Sequence, residues 1–254
     1  MPIPFTKAHA CGNDFLIVDE KYASDGRDEI SRALCSRNFG IGADGVEWVT
    51  VGEDAITARL INSDGSEAEI SGNGTRCVAA WHGSKTGAKE IVIGTGAGPK
   101  LCRILSGDGR LFQVETAMGA ATCSPRTVEG VAGVEVSVGN PHFVLIAEQI
   151  PTDWIEVGAR LTNNAAFPAG ANIEFVRIVD TNSIEFRIYE RGAGPTESSG
   201  TGSCASALAV MAERGMPREL RVIASGGEQW VRWAGDGVYL TGPAELIARG
   251  EAWI

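Results

Sequence analysis

Several familiar signatures are missing from this chain, and each absence removes a class of function. The six cysteines (Cys11, Cys35, Cys77, Cys102, Cys123 and Cys204) include no CxxC pair, and 254 residues are enough to build a core without disulfide staples. Reduced, mostly buried thiols are therefore expected. The three histidines, His9, His82 and His142, stand far apart and outside any HExxH or Cys/His cluster, so no metal site is predicted. Neither "SGNGTRCVAAW" nor "SGTGSCASALAVMAE" follows the GxGxxG fingerprint, and no GxxxxGKS/T occurs, which weakens nucleotide-binding readings. No apolar run approaches membrane-spanning length, and "MPIPFTKAHACGNDF" lacks the basic head and apolar core of a signal peptide, so the expected compartment is the cytoplasm. Positive charge is in deficit: 22 Lys and Arg against 32 Asp and Glu leave a net charge of -10. That balance argues against nucleic-acid and anionic-membrane partners while allowing a local basic pocket for a small anion.

What the chain does contain is an internal repeat. "SGNG" begins at Ser71 and "SGTG" at Ser199, 128 residues apart, and each serine has a glutamate two residues before it, Glu69 and Glu197. Gly12-Asn13 of "CGNDF" matches Gly139-Asn140 of "GNPHF" at a spacing of 127. "GADGVE" from Gly42 matches "GANIEF" from Gly170, and "RLIN" from Arg59 matches "RIYE" from Arg187, both at 128. Four motifs in one register across half the protein predict two related lobes.

Strand signals dominate. "DFLIVDE", "AITARLINSD", "EIVIG", "VEVSV", "HFVLIAE", "NIEFVRIVD" and "SIEFRIYER" are short, rich in Val, Ile and Phe, and bounded by Gly, Asp or Asn. Helical signals are fewer: "DEISRALCSRNFG", the segments after Ser71 and Ser199, and "PTDWIEVGARLTNN" with Trp154, Val157 and Leu161 at helical spacing. Their apolar stripes are read as core. Many strands per helix, repeated twice, predict an α+β protein of two pseudo-symmetric lobes, each a mostly antiparallel strand set around a central helix. The expected division is residues 1–118 and 119–254, with the C-terminal segment 245–254 a candidate to return to the first lobe.

The two serine motifs are the predicted centre of function. Their glycines let backbone N–H groups approach a ligand, and each following helix offers its unpaired N–H groups and positive dipole end, a cradle for carboxylate or phosphate. The competing reading is structural: Gly-x-Gly makes a tight turn and the serine caps its helix. Duplication favours the cradle. Two helix N-termini on one cleft suit a racemase or epimerase, in which one base removes an α-proton and a second group returns a proton to the opposite face.

These residues resemble the cofactor-independent diaminopimelate epimerases of lysine biosynthesis. The resemblance covers nearly the whole chain and is carried by "GNDF" from Gly12, "FGIGADG" from Phe39, "NSDGSEAEISGNGTRC" from Asn62, "GNPH" from Gly139, "ANIEF" from Ala171 and "ERGAGPTESSGTGSCA" from Glu190. It implies two lobes meeting at an active-site cleft, a small-molecule amino-acid substrate, no pyridoxal phosphate or other cofactor, no metal, and a homodimer as the candidate assembly. By resemblance, Asn13, Asn62, Asn140, Asn172 and Arg191 hold the substrate, with Arg191 suited to a bidentate grip on its distal carboxylate. Gly72, Asn73, Gly200 and Thr201 would hold the α-carboxylate, while His142 and Glu190 match residues beside the catalytic pair. The bland alternatives are turn roles for Asn13, Asn140 and Asn172 and a surface ion pair for Arg191.

The chain departs from the family at the two catalytic cysteine positions, which hold Ser71 and Ser199. Cys77 and Cys204 match cysteines the family carries further along each helix, where a buried structural role is expected. A hydroxyl is much less acidic than a thiol and needs activation. Three readings remain at this level: an epimerase substituted to hold substrate without turnover, a relative in which serine performs racemase or dehydratase chemistry, and a non-catalytic protein binding an amino acid or dicarboxylate.

Overall fold

The computed structural model describes residues 2–23, 26–52 and 55–254. The chain divides into two compact units, Met1–Thr116 with Gly242–Ile254, and Ala117–Thr241. In the first, β1 (Ile3–Ala10) and β2 (Asn13–Asp19) form a hairpin, and α1 (Arg27–Cys35) carries the chain to β3 (Gly45–Val51), which lies parallel to β2. β4 (Ile56–Asn62) runs antiparallel to β3, and the short β5 (Glu67–Ala68) leads into α2 (Gly72–Thr86). β6 (Glu90–Thr95) lies parallel to β4, followed by the antiparallel β7 (Gly98–Gly107) and β8 (Leu111–Gly119). The final strand, β17 (Gly237–Ala252), pairs with β1, and the Leu246 N–H donates to the Arg110 carbonyl of the turn before β8, which closes the ring of strands.

The second unit repeats the plan. β9 (Thr122–Val128) and β10 (Val131–Ser137) form a hairpin, β10 pairs with β11 (Pro141–Ile146), and α3 (Trp154–Thr162) crosses to β12 (Asn172–Asp180), parallel to β11. β13 (Ser183–Glu190), the short β14 (Gly194–Thr196), α4 (Gly200–Arg214), β15 (Glu219–Ala224) and β16 (Gly227–Ala234) follow, with β15 parallel to β13. The register repeats as well: Ile17 lies opposite Glu47 in the first unit, and Val144 opposite Glu174 in the second. The predicted α+β architecture of two similar lobes, each a mostly antiparallel strand set around a central helix, is the one found.

The central helices follow from their composition. α2 and α4 bury nearly every residue of their first three turns, and a helix without a polar face belongs inside a ring of strands. Small residues such as Ala79, Ala80, Ala205 and Ala209 let the strands close upon them. Larger ones, Val78, Trp81, Leu208 and Val210, each contribute roughly 1.5–3 kcal/mol of burial. Gly87 and Gly215, at φ 76° and 64°, end the two helices in the left-handed conformation that glycine adopts freely. Trp154, Val157 and Leu161 of α3 pack with Phe143 and Phe175, as their spacing predicts.

The seven strand stretches and four helices read from the sequence all form, with one correction. α1 stops at Cys35 rather than running through the 28–40 stretch. Ser36 leaves helical geometry, and the N–H groups of Ile41 and Gly42 fold back onto the Leu34 carbonyl while Ala43 donates to Cys35. The loop thus satisfies the carbonyls that another helical turn would have used.

Candidate active site

In the first unit the site begins at the turn between β1 and β2. Cys11 and Gly12 both take positive φ, 52° and 80°, the two-residue turn that matches hairpin twist. Gly12 adopts it freely, whereas Cys11 does so at a conformational cost. The turn delivers Asn13, whose Nδ2 donates to Asp44 Oδ2 at 2.7 Å and whose Oδ1 accepts from Asn73 Nδ2 at 3.2 Å. Asn73 in turn accepts from Arg76 at 2.7 Å, and the fully buried Arg76 guanidinium also donates to the Gly72 and Pro243 carbonyls. Arg37 binds both Asp14 and Asp44, and Lys7 binds Asp14. Burial works to raise the Asp14 carboxyl, but the hydrogen bonds and charges of Arg37 and Lys7 hold it below the usual range. Ser71 is the N-cap of α2 and accepts the Gly74 N–H at 3.0 Å.

The second unit builds the same pattern with different ends. Ser199 caps α4 and accepts the Gly202 N–H at 3.2 Å, and its Oγ lies 3.5 Å from Thr201 Oγ1. Thr201 receives the Asn140 amide at 3.4 Å, Asn140 Oδ1 meets His142 Nε2 at 2.8 Å, and His142 Nδ1 meets Glu174 Oε1 at 2.6 Å. A continuous polar chain therefore links Ser199 to a fully buried imidazole and carboxyl. Asn172 donates to the Pro141 carbonyl and accepts the Arg191 N–H, fixing the backbone from which the exposed Arg191 side chain departs; its guanidinium donates to the Ala169 carbonyl. Glu190 accepts from Thr196 Oγ1.

Beneath each capped helix start lies a buried glutamate. A Cβ on Gly74 would sit 1.9 Å from Glu47 Oε1, and one on Gly202 would sit 3.2 Å from Glu174 Oε1 and 2.7 Å from Ile188 Cδ1. Glycine is required at the first of these because the carboxyl occupies the space a side chain would need. Burial, opposed by the charge and hydrogen bond of His142, raises the Glu174 carboxyl above its ordinary value. For Glu47 burial acts alone and pushes the carboxyl up to about 8. Cys77 and Cys204 are fully buried, and burial first of all drives the Cys77 thiol up, away from thiolate chemistry. None of the six cysteines is in a disulfide, and five of them are buried.

Of the residues expected at the site, Ser71, Gly72, Asn73 and Asn13 meet at the start of α2. Ser199, Gly200, Thr201, Asn140 and His142 meet at the start of α4, with Asn172 and Arg191 joined beside them. The Asn62 amide donates to Ser66 within the 62–66 turn, and the next residue, Ser63, donates its N–H to the carbonyl of Asp44, whose carboxylate receives the Asn13 amide. Both serines are true helix caps, a role that also aims each Oγ along the helix start. Sequence pattern alone does not mark Asp44, Arg76, Glu47 or Glu174 as site residues. The two glutamates lie within the matched "GADGVE" and "GANIEF" hexapeptides, and a carboxylate inside an apolar strand run was the signal available.

Comparison with known proteins adds family context. The profile of the family described as diaminopimelate epimerase matches residues 5–124 and 134–247. The diaminopimelate epimerase of Elusimicrobium minutum is 36% identical, covering 97% of this chain and 98% of its own. Diaminopimelate epimerase 1 of Nostoc is also 36% identical, over 99% of this chain and 100% of its own. Among solved structures, a "Predicted Epimerase" of Pseudomonas aeruginosa superposes with a TM-score of 0.78 over 98% of both chains at 16% identity. A hydroxyproline epimerase of Agrobacterium vitis does so at 0.73, over 99% of this chain and 91% of its own, again at 16%. At that identity the likeness is one of fold.

Proposed function

Because the chain belongs to the diaminopimelate epimerase family, we propose that it interconverts LL- and meso-diaminopimelate in lysine biosynthesis, with Ser71 and Ser199 as its two proton-transfer groups. The observation that carries this reading is the duplicated cap. Each serine holds its Oγ at the N-terminus of a buried helix, at the position where the family has its catalytic cysteine.

The chemistry follows from that placement. The N–H groups at Gly72 and Asn73, and at Gly200 and Thr201, belong to the first helical turns and suit an α-carboxylate. Offsetting its charge acidifies the α-carbon. One serine oxygen, ionised, takes the α-proton, and the C–H electron pair stays on carbon, drawn toward the held carboxylate. The other serine hydroxyl then gives its proton to the opposite face and is left as the anion. Configuration inverts and nothing is oxidised or reduced. The helix dipole favours the serine anion, yet a hydroxyl starts far above a thiol in pKa, so turnover is slow relative to a cysteine form. Arg191 takes the distal carboxylate, Asn13, Asn62, Asn140 and Asn172 orient the substrate, and His142 and Glu190 flank the reacting end. No cofactor, nucleic acid or membrane enters the proposal. A cytoplasmic location, expected from the sequence, and a homodimer, which rests on the family resemblance, are parts of it.

Incubating LL-diaminopimelate with protein at comparable concentration and separating the stereoisomers tests the reading. Time-dependent accumulation of the meso form is expected, and its absence alongside saturable binding would turn the assignment to a non-catalytic binder.

A further inference from the structure

Glu47 has no place in the mechanism above, and the sequence offers no reason for a carboxyl on the inward face of β3. It is buried, with 3% of its surface exposed, among Phe15 and Ile17 of β2, Leu60 of β4 and Cys77 of α2. Its Oε1 rests against the Cα of Gly74, in the first turn of the helix that Ser71 caps. The second unit puts Glu174 in the same strand register and beneath the equivalent glycine, but gives it His142 as a partner at 2.6 Å. In the first unit the position corresponding to His142 is Phe15, which offers no proton and no charge.

We propose that Glu47 is a positioning residue for the Ser71 half of the site: as a neutral carboxyl it leaves the N-terminus of α2 open to an anionic ligand, and as a carboxylate it competes with that ligand for the helix's positive end. The inference rests on the reading that this helix start holds the substrate carboxylate. Burial pushes the Glu47 carboxyl up to about 8, so the change of form falls just above neutral pH. The other ionisable groups around it are accounted for. On α2, the Cys77 thiol is driven still higher, and the Arg76 guanidinium is committed to Asn73 and the Gly72 carbonyl. On β2, Asp14 is paired with Arg37 and Lys7. β4 presents Leu60. An ionised Glu47 thus adds one negative charge beneath N–H groups that would otherwise face substrate.

Amide NMR of the ligand-free protein tests this directly. On titration toward alkaline pH, the Gly72, Asn73, Gly74 and Thr75 amides are expected to move with one shared inflection. That inflection should be lost in Glu47→Gln and in Glu47→Met, the second a guard against poor folding of the first, and kept in Cys77→Ala. Amides that stay still, or an inflection that survives both Glu47 variants, overturn the proposal. Calorimetry with LL-diaminopimelate then separates it from the functional reading. Wild-type affinity should fall at least about tenfold more than that of Glu47→Gln as pH rises through the inflection. Equal falls overturn the proposal, whereas absence of binding at every pH overturns the substrate assignment and leaves the amide result to decide the role of Glu47.

Discussion

His142 and Glu174 meet at 2.6 Å between Nδ1 and Oε1, with both side chains fully buried in the second unit. A pair of this kind contributes little beyond its own desolvation cost, but removing one member strands the other in an apolar setting. Glu174→Ala is expected to lower stability by about 3–5 kcal/mol, read from urea unfolding. It should also weaken turnover, because the polar chain from His142 through Asn140 and Thr201 to Ser199 loses its anchor.

Replacing both helix caps by cysteine is the most informative change to the reacting groups. Ser71→Cys/Ser199→Cys should raise the epimerisation rate by a factor of about 100 or more, since a thiol near a helix N-terminus ionises far more readily. Either single replacement should gain less, because each turnover uses both groups. Stereoisomer separation at saturating substrate measures all three forms.

Arg191 offers a cleaner test of binding, because its guanidinium is exposed and its removal disturbs little packing. Arg191→Ala should weaken LL-diaminopimelate binding at least about tenfold while changing stability by less than about 1 kcal/mol. Unchanged affinity in calorimetry would return Arg191 to an ordinary surface role.

Glu47 makes a signed prediction about pH and stability. Its carboxyl is raised from an ordinary 4.5 to about 8 by burial, so the folded chain holds a proton that the unfolded chain releases between those values. The stability it contributes is complete below the ordinary value and is lost as pH rises through the folded one. Relative to Glu47→Gln, the wild type should lose on the order of 2–4 kcal/mol between about pH 5 and pH 9, roughly 5–10 °C in Tm. A constant difference across that range would place the carboxyl in a more polar setting than its burial indicates.

Much of this molecule was legible from residue pattern. The repeat of Ser71-Gly-Asn-Gly and Ser199-Gly-Thr-Gly announced two related lobes, and Val, Ile and Phe runs marked strands such as Asn172–Asp180, whose first five residues are all buried and so read as a near-continuous apolar run. β7 and β9 were less visible, since "GPKLCRILSG" and "TCSPRTV" carry Gly, Pro or Arg that dilute the pattern and depend on neighbouring strands for their pairing. At the site, the serines stood out through the repeated Ser-Gly-x-Gly motif, whereas the asparagines were singled out by the family resemblance. Glu47 and Glu174 could not be assigned, because their meaning comes from what lies above them, Gly74 and Gly202, about thirty residues further along the chain. Arg76 was hidden for a related reason: nothing in the sequence of a helix tells a buried guanidinium from an exposed one.

The central claim is that two serines transfer the proton, one acting on each face of the α-carbon. Proton NMR with mass analysis of LL-diaminopimelate turned over in D2O tests it most directly. At early times the meso product should carry one solvent deuterium at the inverted carbon while the remaining LL substrate keeps its proton, because the acceptor and the donor are different groups. Deuterium appearing in substrate and product together would contradict the two-serine account and point to a single base, and bound substrate that never exchanges would contradict epimerisation itself.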